Sequence, residues 1–398
     1  MLNLRQLFLN HNAQTTDFPL SLEITHAQGL YLFDQAGKKY LDLIAGIGVS
    51  SIGHRHPKVI DAIKNQADRY LHLMVYGEFI QTPQTLLAAK LASLLPPNLS
   101  NVYLVNSGSE AIEGAMKLAK RFSGRSEIIA CKNSYHGSTH GALSIMGNES
   151  YKQAYRPLLP DIRFMEFGEI TEIEKISTKT AAVFIETIQG EAGIKIANKA
   201  YWKALRAKCS ETGTLLVLDE IQCGIGRSGK FTAFEHYDIV PDILVLAKAL
   251  GGGMPIGAFI SSPNIMNSLK ENPILGHITT FGGHPINCAA ALATLDVLES
   301  ENLIESVIEK GDLFKSLLIH PEIIAVRGQG LMLAMQLKDF EFNKKVIDEC
   351  IENGLIVDWF LHCGDSMRIA PPLTISTEEI KSACAIILAA LEKISNKN

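Results

Sequence analysis

The sequence predicts an α/β fold with a mainly parallel central sheet and a smaller α+β layer beside it. Continuous apolar runs of strand length alternate with helix-length segments through the middle of the chain, and such runs are typical of parallel strands buried on both faces. The C-terminal part differs, because helical patterns at 302–318 and 377–394 enclose shorter strand candidates such as 331–337. The buried strand candidates are 101–106, 181–186, 214–219 and 242–247.

Helix-length segments separate these strand candidates. The first run is followed by Ser109 to Arg121, a pattern rich in the helix formers Ala, Glu and Lys. The chain has 398 residues, which at ~150 residues per domain gives roughly two to three domains. Each of them is long enough to bury its own core.

Composition and charge exclude several classes of protein. The chain is 47% hydrophobic with a mean hydropathy of +0.12, which is not the composition of a disordered protein. It carries 37 basic and 42 acidic residues, a formal net charge of −5, so no nucleic-acid partner is expected. Lys248 and the glycines 251–253 interrupt the apolar stretch 242–262, so no membrane span is expected either.

Cysteine usage and the first residues predict a cytoplasmic protein. The seven cysteines are odd in number and widely spread, without any Cys-x-x-Cys, which favours reduced thiols over a disulfide framework. The start, Met1 to Leu7, has no apolar core followed by a small-residue cleavage site, so no signal peptide is expected.

The apolar runs end in polar or ionisable groups. The first run ends in Asn106 to Ser109, and later runs end in Glu186, in Asp219 with Glu220, and in Lys248. Ligands of open parallel sheets bind beyond the carboxyl ends of the strands, so we expect these groups to line one site. The alternative is that polar residues simply stop each strand.

The segment 106–111 resembles a phosphate cradle. Gly108 allows close approach of the backbone, Ser109 is expected to cap the following helix, and the helix N-terminus attracts an anion. An ordinary capped helix is the alternative. The segment 224–231 nearly matches a P-loop, but Phe231 stands where a hydroxyl must hold Mg²⁺, and no G-x-G-x-x-G follows the first strand.

No metal centre is expected. His54 and His56, and likewise His136 and His140, have spacings that could chelate a metal, but no carboxylate or cysteine cluster joins either pair.

Lys248 and Asp219 at strand ends, beside an anion cradle, match the chemistry of pyridoxal 5′-phosphate (PLP). A lysine flanked by apolar residues has a lowered pKa and becomes a nucleophile for an aldehyde. An aspartate facing a pyridine nitrogen keeps it protonated and makes the ring an electron sink. A lysine that packs its stem on the surface is the alternative for Lys248.

A series of short motifs runs almost end to end along the chain, at 29–34, 39–42, 53–57, 106–121, 135–137, 186–191, 218–222, 226–229, 247–253, 279–283 and 368–373. In these motifs the chain resembles class-III PLP-dependent aminotransferases of fold type I, close to the acetylornithine/ornithine aminotransferase group. The resemblance implies a homodimer with shared active sites. It also implies a large PLP-binding domain over 46–295 and a small domain built from 1–45 and 296–398.

The resemblance assigns cofactor roles residue by residue. Lys248 looks like the lysine that forms the Schiff base and shuttles the proton, and Asp219 like the partner of the pyridine nitrogen. Gln222 resembles the neighbour of the cofactor's phenolic oxygen, while Gly108 and Ser109 resemble the phosphate-binding pair.

Further roles concern the ring, the second subunit and the substrates. Tyr135 matches the aromatic residue that stacks on the pyridine ring, and Thr280 resembles the hydroxyl that reaches the phosphate of the neighbouring subunit. Glu191 and Arg368 are similar to a gated pair. The arginine binds the carboxylate of a 2-oxo acid, and the glutamate neutralises it while an ω-amino donor is bound. A plain salt bridge is the alternative.

The chain departs from the family pattern at the substrate end. The family commonly has an arginine at the position of Ser138, where it grips the donor's distal carboxylate, and a hydroxyl cannot replace that ionic contact. Thr279 belongs to the same expected substrate-binding set. Ile278 and His284 replace a usual glycine and asparagine near the expected subunit boundary.

These observations predict a PLP-dependent transaminase with ping-pong chemistry. An acetylornithine- or ornithine-like ω-amino donor gives its amino group to the cofactor, which passes it to a 2-oxo acid such as 2-oxoglutarate. The alternatives are an aminomutase or lyase of the same fold, a P-loop-like nucleotide-binding enzyme, and a non-catalytic binding module. The sequence leaves the donor, the pathway and any oligomer beyond a dimer open.

Overall fold

A computed structural model describes residues 3–75 and 77–396. The strands are β1 Ile24–Gln28, β2 Tyr31–Asp34, β3 Lys39–Asp42, β4 Asn101–Val105, β5 Glu127–Cys131, β6 Ile162–Met165, β7 Thr180–Glu186, β8 Leu215–Asp219, β9 Ile243–Leu246, β10 Gly257–Ser261, β11 Ala325–Gln329, β12 Met332–Gln336, β13 Leu355–Ile356, β14 Asp358–Phe360 and β15 Cys363–Ile369. The helices are α1 Leu4–His11, α2 Ala45–Gly48, α3 Pro57–Ala67, α4 Thr82–Leu94, α5 Gly108–Ser123, α6 His140–Ser144, α7 Lys199–Thr212, α8 Pro263–Met266, α9 Pro285–Ser300, α10 Val307–Leu317, α11 Phe340–Glu352 and α12 Thr377–Ser395.

The central sheet has seven strands in the order β4-β10-β9-β8-β7-β5-β6. The neighbours from β9 to β6 pair in parallel, whereas β10 pairs antiparallel with both β4 and β9. Every residue of β7, β8, β9 and β10 is buried, which explains why these runs are apolar throughout. The predicted α/β class with a mainly parallel sheet is confirmed, while β10 was not predicted as a strand.

Helix α5 packs closely on this sheet. A Cβ at Gly114 would lie 2.8 Å from Cδ1 of Phe259 on β10, so glycine lets the helix approach the strand. The helix ends at Gly124, whose φ of 67° closes it in the left-handed conformation. Because α5 begins directly after β4, its N-terminus lies at the carboxyl edge of the sheet.

Two four-stranded sheets are built from the two ends of the chain. One has the order β1-β2-β3-β13 and joins both ends, since β3 and β13 pair in parallel with Leu41 opposite Leu355. The other has the order β11-β12-β15-β14. Strands from 1–45 and 296–398 thus share a sheet, as a small domain built from both ends would require. The predicted domain boundary at 295/296 falls inside α9, and the division into two domains stays a prediction.

The helix expected over 302–318 is shorter than predicted. Asn302 has a left-handed φ of 50°, which is incompatible with a right-handed helix at this residue. Helix α10 therefore begins only at Val307. None of the helices in the described ranges is both long and apolar enough to cross a bilayer.

Candidate active site

Four polar strand ends meet at the carboxyl edge of the central sheet. Glu186 on β7 stands opposite Asp219 on β8, and Asp219 stands opposite Val245 on β9, three residues before Lys248. A cavity of about 480 Å³ opens at this edge, within the usual size of small-molecule sites. Eight of the predicted site residues line it: Gly108, Ser109, Tyr135, Ser138, Glu191, Asp219, Gln222 and Lys248.

The N-terminus of α5 forms one wall of the cavity, and its cap differs from the prediction. Ser107, not Ser109, is the N-cap, and its hydroxyl accepts a hydrogen bond from the N–H of Glu110 at 3.1 Å. Since α5 already begins at Gly108, Ser109 lies within the helix, and its hydroxyl contacts Thr139 Oγ1 at 2.6 Å. The first N–H groups of a helix lack partners within it, so this end is suited to an anion.

Gly137 closes the cradle from the opposite side. Its φ is 128°, and a Cβ there would lie 2.7 Å from the Cβ of Ser109. Only glycine fits both the conformation and the space, so the backbone of this turn approaches the start of α5 closely.

Asp219 is fixed by two hydrogen bonds. Its Oδ1 accepts from the N–H of Ile221 at 2.9 Å, and its Oδ2 contacts Nδ1 of the buried His136 at 2.7 Å. Burial by itself would lower the pKa of His136, but the Asp219 carboxylate raises it above the ordinary value. In the sequence, the spacing of His136 and His140 indicated no more than a possible metal pair, and His140 instead contacts the carbonyl of Pro157. Its place beside Tyr135 in the motif was the available signal.

Glu186 is a second residue whose role the sequence did not specify. Its Oε1 accepts from the N–H of Tyr135 at 3.0 Å and its Oε2 from the N–H of Gly190 at 2.8 Å. It therefore ties together two loops of the cavity wall. Burial raises the pKa of the Glu186 carboxyl group to about 7, although the nearby His136 acts to lower it.

Lys248 lines the cavity and has a strained backbone conformation. Its φ of 44° is left-handed, a region that non-glycine residues seldom adopt and that is concentrated at functional sites. Burial lowers the pKa of its ammonium group, an effect that the nearby Glu191 carboxylate opposes.

Glu191 and Arg368 form a buried, bidentate ion pair. Arg368 donates from Nη1 to Glu191 Oε1 at 3.0 Å and from Nη2 to Oε2 at 3.1 Å. Burial alone would raise the pKa of Glu191, but the Arg368 guanidinium holds it at about 2. Gln222 Nε2 and the N–H of Leu361 donate to the same carboxylate. The structure thus brings the two members of the predicted gated pair together.

Among the predicted site residues, Arg368, Thr279 and Thr280 do not line the cavity. Thr279 does not line the cavity but accepts a hydrogen bond from Nδ2 of Asn106, which does. Thr280 is exposed, and its carbonyl accepts from Nε2 of His72 at 2.8 Å. Ser138 is exposed at the rim, 3.3 Å from the hydroxyl of Tyr135.

The P-loop-like segment does not bind phosphate in this fold. The Arg227 side chain is fully buried and donates to the carbonyls of Leu331 and Pro371 and to the Ser51 hydroxyl. Gly229 packs against Ile308, where a Cβ would overlap the side chain. The segment is a packed connection rather than an open anion site.

The donor set fits PLP. A helix N-terminus matches the phosphate, a fixed carboxylate matches a protonated pyridine nitrogen, and a lysine of lowered pKa matches the aldehyde. The Oε1 of Gln222 is buried without a hydrogen-bond partner among the described residues, and a hydroxyl in the cavity would supply one.

Comparison with known proteins gives the same assignment. The sequence model of the family Aminotransferase class-III matches residues 12–391. Acetylornithine aminotransferase of Methanopyrus kandleri is 38% identical, over 97% of this chain and 98% of its own. Putrescine aminotransferase of Pectobacterium atrosepticum is 40% identical, over 92% of this chain and 80% of its own.

A solved structure extends the likeness to the fold and the cofactor. Ornithine aminotransferase from Toxoplasma gondii, with PLP at partial occupancy in its active site, superimposes with a TM-score of 0.92 at 30% identity, over 98% of this chain and 93% of that one. Since the family match spans nearly the whole sequence, this chain belongs to the class-III aminotransferases, which use pyridoxal phosphate.

Proposed function

We propose that this enzyme transfers an amino group from an ω-amino donor to a 2-oxo acid such as 2-oxoglutarate in a ping-pong cycle. The Glu191–Arg368 pair carries the proposal. A 2-oxo acid has a carboxylate next to its reacting carbon, whereas an ω-amine has none there. A buried arginine that a carboxylate covers or uncovers serves both substrates in one cavity.

Lys248 moves the proton in both half-reactions. Bound PLP supplies the electron sink that makes a proton acidic on the carbon that bears the donor's transferred amine. Burial lowers the pKa of Lys248, which favours the neutral amine that takes up this proton and returns it in the reverse direction. Asp219 maintains the ring charge, since His136 and the N–H of Ile221 hold its carboxylate in place.

The donor's distal end meets a neutral wall. Ser138 and Tyr135 supply hydroxyls there, and Lys248 is the only lysine or arginine among the described residues that line the cavity. We infer that the donor's far end needs no ionic contact with this chain. Relatives named for acetylornithine and for putrescine support a donor with a primary amine on an unbranched carbon chain.

We further propose a homodimer with shared sites. Exposed apolar side chains lie on both sides of Thr280 in the sequence. Others lie near His72, which contacts the carbonyl of Thr280. These side chains are Leu71, Leu73, Phe79, Ile80, Ile274, Ile278 and Phe281. Patches of this kind mark protein interfaces in soluble proteins. Thr280 of the partner subunit would then reach the phosphate of this one. The free cysteines, six of the seven buried, support the proposed cytoplasmic location.

A spectroscopic titration tests the proposed reaction. The purified holoenzyme is titrated with ornithine, acetylornithine, putrescine and 4-aminobutyrate, and the visible band of the lysine-bound cofactor is followed. We expect at least one donor to bleach the band and 2-oxoglutarate to restore it. Restoration of the band without any 2-oxo acid would instead indicate an aminomutase or lyase. An unchanged spectrum with every donor contradicts the proposal.

A further inference from the structure

Arg368 binds a second carboxylate, that of Asp358, which has no part in the proposed exchange of Glu191 for a substrate. Its Nε donates to Oδ1 of Asp358 at 2.9 Å, while both Nη atoms donate to Glu191. The ring of Phe360 lies beneath the guanidinium, its centroid 4.4 Å from Cζ. The guanidinium is therefore held at one edge by Asp358, at the other by Glu191 and on one face by an aromatic ring.

The two carboxylates are attached to the fold differently. Asp358 is the direct cross-strand neighbour of Arg368 in the antiparallel pair of β14 and β15. Cross-strand neighbours are within reach of short side chains, and neither residue moves away unless the strands separate. Glu191 instead belongs to the loop after β7, between Gly190 and Gly193, the latter with a φ of 82°. Glu191 is the carboxylate that is able to leave.

The charges remain balanced when Glu191 is exchanged for a substrate. With Glu191 in place, Arg368 faces two carboxylates, and the carboxylate of a 2-oxo acid would replace one of them with the same charge. The Nη atoms then find a new bidentate acceptor, while Nε keeps Asp358. At no stage is the buried guanidinium left without an anion, a condition that costs several kcal/mol in protein interiors.

We propose that Asp358 is a positioning residue for the acceptor substrate. It holds Arg368 through Nε, so that Nη1 and Nη2 keep their direction towards the place of Glu191 after that side chain withdraws. Without Asp358, Arg368 keeps only the ring of Phe360 and a 3.5 Å contact with the carbonyl of Trp359 in the open state, so the substrate itself must fix the direction of the guanidinium. This inference rests on the proposed function, because it needs a 2-oxo acid whose carboxylate binds Arg368.

The test separates the two half-reactions in the holoenzyme. For Asp358→Ala we expect the KM for 2-oxoglutarate to rise about tenfold or more, and the rate of the donor half-reaction to change less than about twofold. Glutarate, which lacks a keto group and cannot react, should lose affinity by a similar factor in calorimetry. Asp358→Asn keeps an oxygen that accepts from Nε and should restore both values to within about threefold of wild type.

Asp365→Ala is the matched control, since Asp365 lies on the same hairpin but bonds to Gln336, Cys363 and Ser366. It should leave the acceptor KM unchanged. Equal losses in both half-reactions, an unchanged acceptor KM in Asp358→Ala, or the same rise in the control would overturn the proposal. If Asp358→Ala does not fold, Asp358→Glu displaces the guanidinium and must raise the KM instead. A wild-type enzyme that no donor and 2-oxo acid turn over would refute the proposed function and, with it, this inference. Normal wild-type turnover together with an unchanged acceptor KM in Asp358→Ala would refute this inference alone.

Discussion

Replacement of Glu191 by glutamine tests whether the ion pair acts as a gate. The substitution keeps the size of the side chain and removes its charge. Glu191 Oε1 now accepts from Arg368 and Gln222, and Oε2 accepts from Arg368 and the N–H of Leu361. A glutamine amide has only one oxygen. Its NH₂ group must therefore take the place of Oε1 or Oε2 and face groups that are themselves hydrogen-bond donors.

The pKa of Glu191 sets the size of the effect. It lies at about 2, roughly 2.5 pH units below the ordinary 4.5, although burial alone would raise it. At 1.36 kcal/mol per pH unit, the site favours the ionised glutamate by about 3 kcal/mol. The closed arrangement should therefore weaken by a factor on the order of a hundred in Glu191→Gln.

Stopped-flow measurement of the two half-reactions is the assay. Since the closed pair competes with the acceptor for Arg368, we expect the KM for 2-oxoglutarate to fall by about tenfold or more in Glu191→Gln. The preference for ω-amino donors over α-amino acids should fall with it, because Arg368 now faces either substrate. Glu166→Gln, which breaks only the exposed pair with Lys132, is the control. Equal half-reaction constants in wild type and Glu191→Gln would refute the gate.

The same pair predicts a pH dependence of stability. A carboxylate whose pKa is lowered in the folded state stabilises the fold above its unfolded pKa and loses that contribution as pH falls through the folded value. The free energy of unfolding that wild type gains from Glu191 should therefore be complete above pH 4.5 and disappear towards pH 2. Urea unfolding at several pH values should show the gap between wild type and Glu191→Gln closing in that window.

Three further substitutions test the cofactor site. Lys248→Ala should give a folded protein without transamination turnover, and normal turnover would rule out its role as the reacting lysine. Asp219→Asn should retain the cofactor but slow proton abstraction from the donor severely, measured with a donor deuterated at the carbon that bears the transferred amine, and unchanged kinetics would show that the aspartate does not face the ring nitrogen. Gly137→Ala forces a side chain into a φ of 128° beside Ser109, so the apoprotein should lose about 1–3 kcal/mol of stability and bind PLP more weakly in a titration. If Gly137→Ala kept the stability and the PLP affinity of the wild type, the backbone at Gly137 would not approach Ser109 as closely as described.

Local sequence pattern was sufficient for the strands and the edge of the site. The runs that became β7, β8 and β9 are apolar because both faces are covered, and each ends in a polar group where the sheet ends. Periodicity was not sufficient for β10. Its residues follow the glycines 251–253. Its antiparallel pairing with β4 and β9 depends on contacts between distant parts of the chain, and the local hydrophobic pattern does not indicate such contacts.

The same limit applies to the side-chain partners in the site. The sequence placed Asp219 at a strand end and His136 in the motif beside Tyr135, but the contact between the two side chains joins residues that are distant in the chain. Ser109 was the predicted cap of α5, but the helix begins at Gly108 and Ser107 caps it instead.

By itself, the sequence determined the α/β class, the residue types of a PLP site and their order along the chain, because burial and strand ends leave a local pattern. Only the tertiary structure decided which carboxylates Arg368 meets. Glu191 reaches it from a loop and Asp358 from the neighbouring strand, and that pairing depends on strand register and loop path. Contacts between residues distant in the chain are fixed by packing, which has no local sequence signature.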